Sequence, residues 1–228
     1  AGGENAIVNI TRTSDSLSQV NRGKITATNG YSAIKTASTA SNSNGKWIWN
    51  TETGVINGIN PDAPLIDLGR GYNFANAGTI NVQGDGSVAI SGGTTSYTVQ
   101  LVNSGTINVG TEQGKADGSN GEGLIGIKGN GSATTINNTK DGVINVYADN
   151  SWAFGGSTKA IVNNGIINLL CNIGCEIYAP NTTGTRNSQD GTADIIVPVA
   201  SATPGQGNVP AAPVNAVSQQ KLTNYTIG

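Results

Sequence analysis

The stretch Asn76-Ala77-Gly78-Thr79-Ile80-Asn81-Val82 decides the fold, because it returns along the chain with small changes. It recurs as Asn103-Ser104-Gly105-Thr106-Ile107-Asn108-Val109 and as Asn163-Asn164-Gly165-Ile166-Ile167-Asn168-Leu169. Looser copies are Asn21-Arg22-Gly23-Lys24-Ile25-Thr26-Ala27, Thr53-Gly54-Val55-Ile56-Asn57 and Lys140-Asp141-Gly142-Val143-Ile144-Asn145-Val146. Successive motif glycines lie 31, 24, 27, 37 and 23 residues apart. A period in the twenties is one coil of a solenoid, with three short strands and three turns, and the longer spacings mark loop insertions.

Within Thr79-Ile80-Asn81-Val82, Ile80 and Val82 fall on one side of an extended chain and Thr79 and Asn81 on the other, the period of two of a half-buried strand. Other strand candidates are 65–68, 87–90, 97–102, 124–127, 160–162 and 195–197, which supply the remaining sides of the coils. Stacking equivalent positions about 4.8 Å apart builds aliphatic ladders that no single coil can bury alone. Eight or nine coils of this period predict a rod roughly 40 Å long. The glycine before each strand is expected to turn the chain through positive φ, with the preceding Asn tolerating the same region. The irregular residues 1–20 are a candidate cap on an end that would otherwise be open to strand pairing.

Composition agrees with an all-β chain. Only 11% of the 228 residues are charged, 5% are aromatic and 33 are Gly, so helix formers are scarce. A net charge of -2, from 12 basic and 14 acidic residues without a basic block, excludes the footprint of a nucleic-acid binder or polybasic membrane anchor. No apolar run reaches the roughly 20 residues of a membrane helix, so no membrane insertion of this segment is expected. Met is absent, position 1 included, which predicts an internal or processed segment of a longer chain.

The two cysteines, Cys171 and Cys175, are close enough to close a disulfide across a tight turn; the alternative is two free thiols. Trp47 and Trp49 share one face of an extended Lys46–Asn50, with Ile48 opposite, and a solvent-facing pair could stack on sugar rings or anchor a partner; core packing or a cap would use the same pattern. Arg70, Tyr72 and Phe74 alternate beside Gly69 and Gly71 and could extend such a surface, and Trp152 and Phe154 form another aromatic pair. The loop insertion 110–123 carries Glu112, Asp117 and Glu122, which with loop carbonyls could bind Ca²⁺, but its order matches neither the EF-hand nor a nonapeptide repeat and it reads as a solvated protrusion. Asp62 with Asp67 is the nearest approach to a carboxylate dyad, and the acidic residues are otherwise scattered. Pro198, Pro204, Pro210 and Pro213 mark 198–215 as a loop outside the sheet, after which 222–228 resumes alternation.

The Asn-x-Gly-Thr-Ile-Asn-Val series, the Gly/Asn/Thr-rich composition and the isolated close Cys pair resemble the passenger domains of Gram-negative autotransporters, over about residues 20–228. The resemblance implies one right-handed parallel β-helical segment over 1–228 with protruding loops, exported through a C-terminal barrel outside this chain. It implies an adhesin or self-associating protein at the bacterial surface, anchored in the outer membrane or secreted, with host matrix proteins, glycans or another copy as partners. Filamentous-haemagglutinin-like exoproteins share similar repeats, but Asn60-Pro61 alone does not reproduce their secretion motifs. Gly84-Asp85-Gly86-Ser87 loosely resembles the nucleophile motif of the protease autotransporters, yet the serine is out of place and the chain has no His to take its proton. No catalytic residue, metal or cofactor is therefore expected; the alternatives are an inert stalk of a longer secreted protein and a polysaccharide-degrading β-helix enzyme.

Overall fold

The computed structural model of the chain describes residues 6–10, 19–36, 46–59, 63–93, 97–115, 122–187, 194–198, 217–221 and 225–226. Three strands per coil stack in parallel into a three-faced solenoid. The first face runs Ala6–Ile10, Ser32–Thr36, Ile66–Leu68, Val88–Gly92, Ile125–Asn130, the start of Trp152–Asn163 and Glu176–Tyr178. The second runs Gln19–Asn21, Lys46–Asn50, Tyr72–Asn76, Val99–Asn103, Thr134–Asn138, the end of Trp152–Asn163 and Thr183–Asn187. The third runs Lys24–Thr28, Val55–Ile59, Thr79–Gln83, Thr106–Val109, Val143–Val146, Ile166–Leu169 and Asp194–Pro198. Seven coils are thus formed among the described residues, where the mean period predicts eight or nine; the longest motif spacing, 37 residues, holds one coil, and the described strands after 198 pair antiparallel.

The third face carries the repeat, and its register is the alignment of the motifs. Ile25, Ile56, Ile80, Ile107, Ile144, Ile167 and Ile195 are successive partners. Ile56, Ile80, Ile107, Ile144 and Ile167 have no exposed surface, and burial of each contributes roughly 1.5–3 kcal/mol. Two positions along, Val82, Val109 and Val146 form a second inner column. Gly58 stands in that column because the Leu65 side chain fills the space a larger residue would take.

The corner between the second and third faces shows what the Asn-x-Gly prefix does. None of the six motif glycines has a positive φ, contrary to the expectation from turn chemistry. For five of them, Gly23 on the first coil being the exception, the constraint is close approach: a Cβ on Gly78 would strike the Gly54 and Thr51 carbonyls, and one on Gly105 the Gly78 and Ala77 carbonyls of the coil beneath. The Asn residues are not turn formers either. Asn21, Asn50, Asn76, Asn103, Asn138 and Asn163 form an inner row in which the Nδ2 of each of the first five donates to the Oδ1 of the next coil at 2.8 Å. The second N–H goes to the carbonyl of the motif glycine, for example Asn76 to Gly78 at 3.2 Å and Asn138 to Gly142 at 3.3 Å. Where two extra residues intervene, as in 50–54 and 138–142, a tight turn absorbs them through Gly54 N–H to Thr51 O and Gly142 N–H to Thr139 O, and the Asn keeps its place in the row.

The 12-residue strand Trp152–Asn163 bends around the corner between the first and second faces, pairing with Ile125–Asn130 and with Thr134–Asn138 and so joining both faces in one sheet. On the seventh coil, Val217–Lys221 pairs antiparallel with Asp194–Pro198 and Tyr225–Thr226 with Thr183–Asn187. The proposed cap over 1–20 contains Ala6–Ile10 and Gln19–Asn21, which pair in parallel as rungs of the first coil. Most of the proline-rich segment lies outside the described residues.

Candidate functional site

The outer side of the third face carries a second amide row. Asn168 donates to Asn145, Asn145 to Asn108, Asn108 to Asn81 and Asn81 to Asn57 at 2.7–2.8 Å, and Asn57 to Thr26 at 3.4 Å. Donation here runs towards the first coil, whereas in the buried inner row it runs towards the last. Every member is partly exposed, because period two sends it outward when its Ile and Val neighbours go in.

Part of this row floors a groove of about 420 Å³ that includes Asn57, Asn81 and Asn108 and spans five coils from Lys24 to Tyr147. Ile59, Gln83 and Tyr147 line one wall. Gly110 takes the equivalent position in the coil between Gln83 and Tyr147; its φ of 81° and the closeness of Ala148 exclude a side chain there. Thr111 and Glu112 overhang the groove. That overhang is fixed by Gly114 N–H to Thr111 Oγ1 at 2.9 Å, by Lys115 Nζ to Glu112 at 3.0 Å and by Asp149 N–H to Lys115 O at 2.8 Å.

The residues singled out from the sequence lie elsewhere and do not come together. Trp47 and Trp49 do share the outer side of the second face, with Ile48 inside; their ring centroids are 5.2 Å apart and Trp49 is 43% exposed. Arg70 sits in the turn before the next strand, its guanidinium 4.6 Å from the Tyr97 ring centroid. Tyr72 corrects the expected alternation: it is 2% exposed, inside the solenoid with Phe74, beneath the Lys46 ammonium at 5.2 Å. Burial pushes its phenol pKa up. The turn at Arg70-Gly71 resets the parity, so Arg70 and Tyr72 do not share one face. Trp152 is partly exposed, whereas Phe154 is core and stacks on Tyr178 at 6.0 Å.

Cys171 and Cys175 form a disulfide. The closed loop is pinned by the Asp149 carboxylate, which accepts the Asn172 and Ile173 N–H groups at 2.7 and 3.1 Å, and it presents Ile173 at 62% exposure. The Ser87 hydroxyl is buried and donates to Gln83 O at 3.0 Å, a structural bond within a turn. Asp62, Asp117 and Asp190 lie outside the described residues. Among the described residues, no three His, Cys, Asp or Glu side chains gather where they could hold a metal ion, and no helix is long and apolar enough to cross a membrane.

Asp67 lies on the first face, paired in register with Lys35. Burial raises its carboxyl pKa, and the Lys35 charge offsets part of that rise. A carboxyl held above its unfolded pKa favours folding below the unfolded value, and this contribution is lost as pH rises through the folded value. Asp67→Asn is therefore expected to raise the melting temperature at neutral pH, with the gain shrinking as acid protonates the wild-type carboxyl. Thermal melts from pH 3 to pH 7 check this, and a gain that grows on acidification would contradict it.

A relative in Salmonella typhimurium (strain LT2), described as "Putative surface-exposed virulence protein BigA", is 70% identical over 227 residues, which cover 100% of this chain and 12% of that protein. No solved structure matches the chain. The family model for the BigA fourth domain matches residues 1–174, which span the first six coils and both amide rows. With more than half of its length matched in this way, the chain belongs to the BigA fourth-domain family.

Proposed function

We propose that this domain is a binding module of a surface-exposed bacterial protein, an adhesin-type passenger segment that works by attachment to host matrix, glycans or another copy of itself. The observation that carries this reading is the outer amide row, a regular set of hydrogen-bonding groups held at fixed spacing along a walled groove. Groups fixed by their neighbours lose little freedom on binding, and repetition along a face adds weak contacts into useful avidity. The name of the Salmonella relative supports a place at the cell surface. A non-enzymatic role is supported by the absence of His and by the commitment of the Ser87 hydroxyl to a turn.

Beads coated with the purified domain are expected to adhere to host cells or matrix, or to clump with one another in a concentration-dependent way. Soluble domain in excess should compete in either case. Beads that neither adhere nor clump would reduce the segment to a stalk.

A further inference from the structure

We infer that the groove on the third face binds an uncharged glycan chain lying along the solenoid axis, an assignment that rests on reading this face as a binding surface. Four features of the groove lead to this ligand class.

The first is direction. Asn57, Asn81 and Asn108 occupy the same strand position in successive coils, so the groove runs across the strands, and its floor repeats about every 4.8 Å. A ligand that uses several rungs must be a chain with a matching repeat. A pyranose chain has one ring close to each rung, and where successive rings alternate in facing, as in β-1,4 chains, like groups return close to every second rung and stay in step. An extended peptide presents like groups on one side only every second residue, about 6.8 Å, and falls out of step after one or two rungs.

The second is hydrogen bonding. Each floor Asn spends one N–H and one side of its Oδ1 on neighbouring side chains, the N–H of Asn57 going to the Thr26 hydroxyl. In the buried inner row the second N–H is taken by a glycine carbonyl; for Asn81 and Asn108 of the outer row, which line the groove, no acceptor for it stands among the described residues. Every rung therefore offers one donor and one acceptor. A sugar hydroxyl is also one donor plus acceptor lone pairs, so each rung and each hydroxyl can satisfy one another. A sulfate or carboxylate only accepts and would leave the Oδ1 positions unmatched.

The third is charge. Lys24 stands at the first-coil end, while Glu112 on the overhang is already paired with Lys115. Nothing between them supplies the concentrated positive field that an anionic polysaccharide needs. The fourth is the ring of Tyr147, partly exposed beside the gap at Gly110; an aromatic face packs against the C–H side of a sugar while its hydroxyl stays wet.

Calorimetric titration of the domain should use β-1,4-linked glucose and N-acetylglucosamine oligomers of two to six units, a linear mannan, a heparin fragment and a pool of extended peptides. At least one neutral series is expected to bind, with affinity rising with length up to about four units, the span of the five-coil groove, and changing little between low and high salt. Tyr147→Ala should weaken binding roughly tenfold, the size of one lost aromatic contact. Asn108→Thr should weaken it as well, whereas Trp49→Ser on the second face should not. Melting temperatures of all three variants establish that they are folded; if Asn108→Thr is not, the Tyr147→Ala and Trp49→Ser pair still decides.

A preference for heparin that salt abolishes, a preference for peptide, or equal binding by wild type and Tyr147→Ala would each overturn the glycan assignment. So would silence towards every neutral oligomer. Adhesion of coated beads that an excess of every neutral oligomer in the panel fails to inhibit would overturn it too while leaving the adhesive reading intact, whereas loss of all adhesion and clumping would remove both.

Discussion

Gly105→Ala is expected to lower the unfolding free energy by about 3 kcal/mol, the upper range for forcing one extra carbon into a packed interior. The added Cβ meets the Gly78 and Ala77 carbonyls of the coil beneath, backbone atoms that cannot rotate away as a side chain would. Relief requires the two coils to separate at that corner, which would lengthen the amide bond from Asn76 to Asn103. Gly23→Ala provides the contrast. It carries the same motif glycine on the first coil, its φ is not positive, and a Cβ there meets nothing within 4 Å. It is expected to be neutral or to stabilise by up to about 1 kcal/mol through the unfolded chain. Urea titration of the pair checks both. Equal losses at the two positions would mean that turn conformation, not approach between coils, selects glycine.

Asn103→Asp is expected to cost roughly 3–5 kcal/mol at neutral pH, comparable to leaving a charge uncompensated in an interior. Asn103 has no exposed surface. It accepts from Asn76 at 2.8 Å and donates to Asn138 Oδ1 at 2.8 Å and to Gly105 O at 3.1 Å. An ionised carboxylate keeps the first bond and turns the other two into oxygen facing oxygen. Protonation restores one O–H donor. The carboxyl pKa in the folded variant must therefore lie above its unfolded value, and part of the lost stability returns as pH falls through the folded value. Denaturant midpoints measured between pH 3 and pH 8, against wild type at each pH, give the test. A pH-independent loss would show that the row matters for shape alone.

The register of the third face was legible because β-branched residues at Ile and Val positions alternate with Asn and Thr, and one-residue slips would turn Ile80 or Ile107 outward. The function of the prefix was less legible. Asn and Gly are the residues that turns favour, and sequence alone does not separate that use from a buried amide row or from contact between coils. The inner row has a signal nonetheless: an Asn stands two residues before Gly23, Gly78, Gly105 and Gly165, and four before Gly54 and Gly142. Strand parity placed Trp47 and Trp49 together but could not say which side faces water, and it failed for Arg70 and Tyr72 because a turn interrupts it. The groove was not anticipated, since its walls join several coils to the start of a loop. Its trace is the residue after each Val or Leu column: Gln83, Gly110, Tyr147 and Leu170, where Gly110 beside Tyr147 marks a gap next to a ring.

The opposite directions of donation in the two Asn rows have an electrostatic consequence. A carboxamide carries a dipole much like that of a peptide group, about 3.5 D. Aligned head to tail, six such groups in the inner row place their positive ends towards the later coils, and five in the outer row place theirs towards the first. Either row alone would build an axial potential that grows with every coil added, as in a long helix. Side by side and opposed, the two nearly cancel, so a rod of this kind can lengthen without acquiring charged ends that draw ions or other rods to its tips.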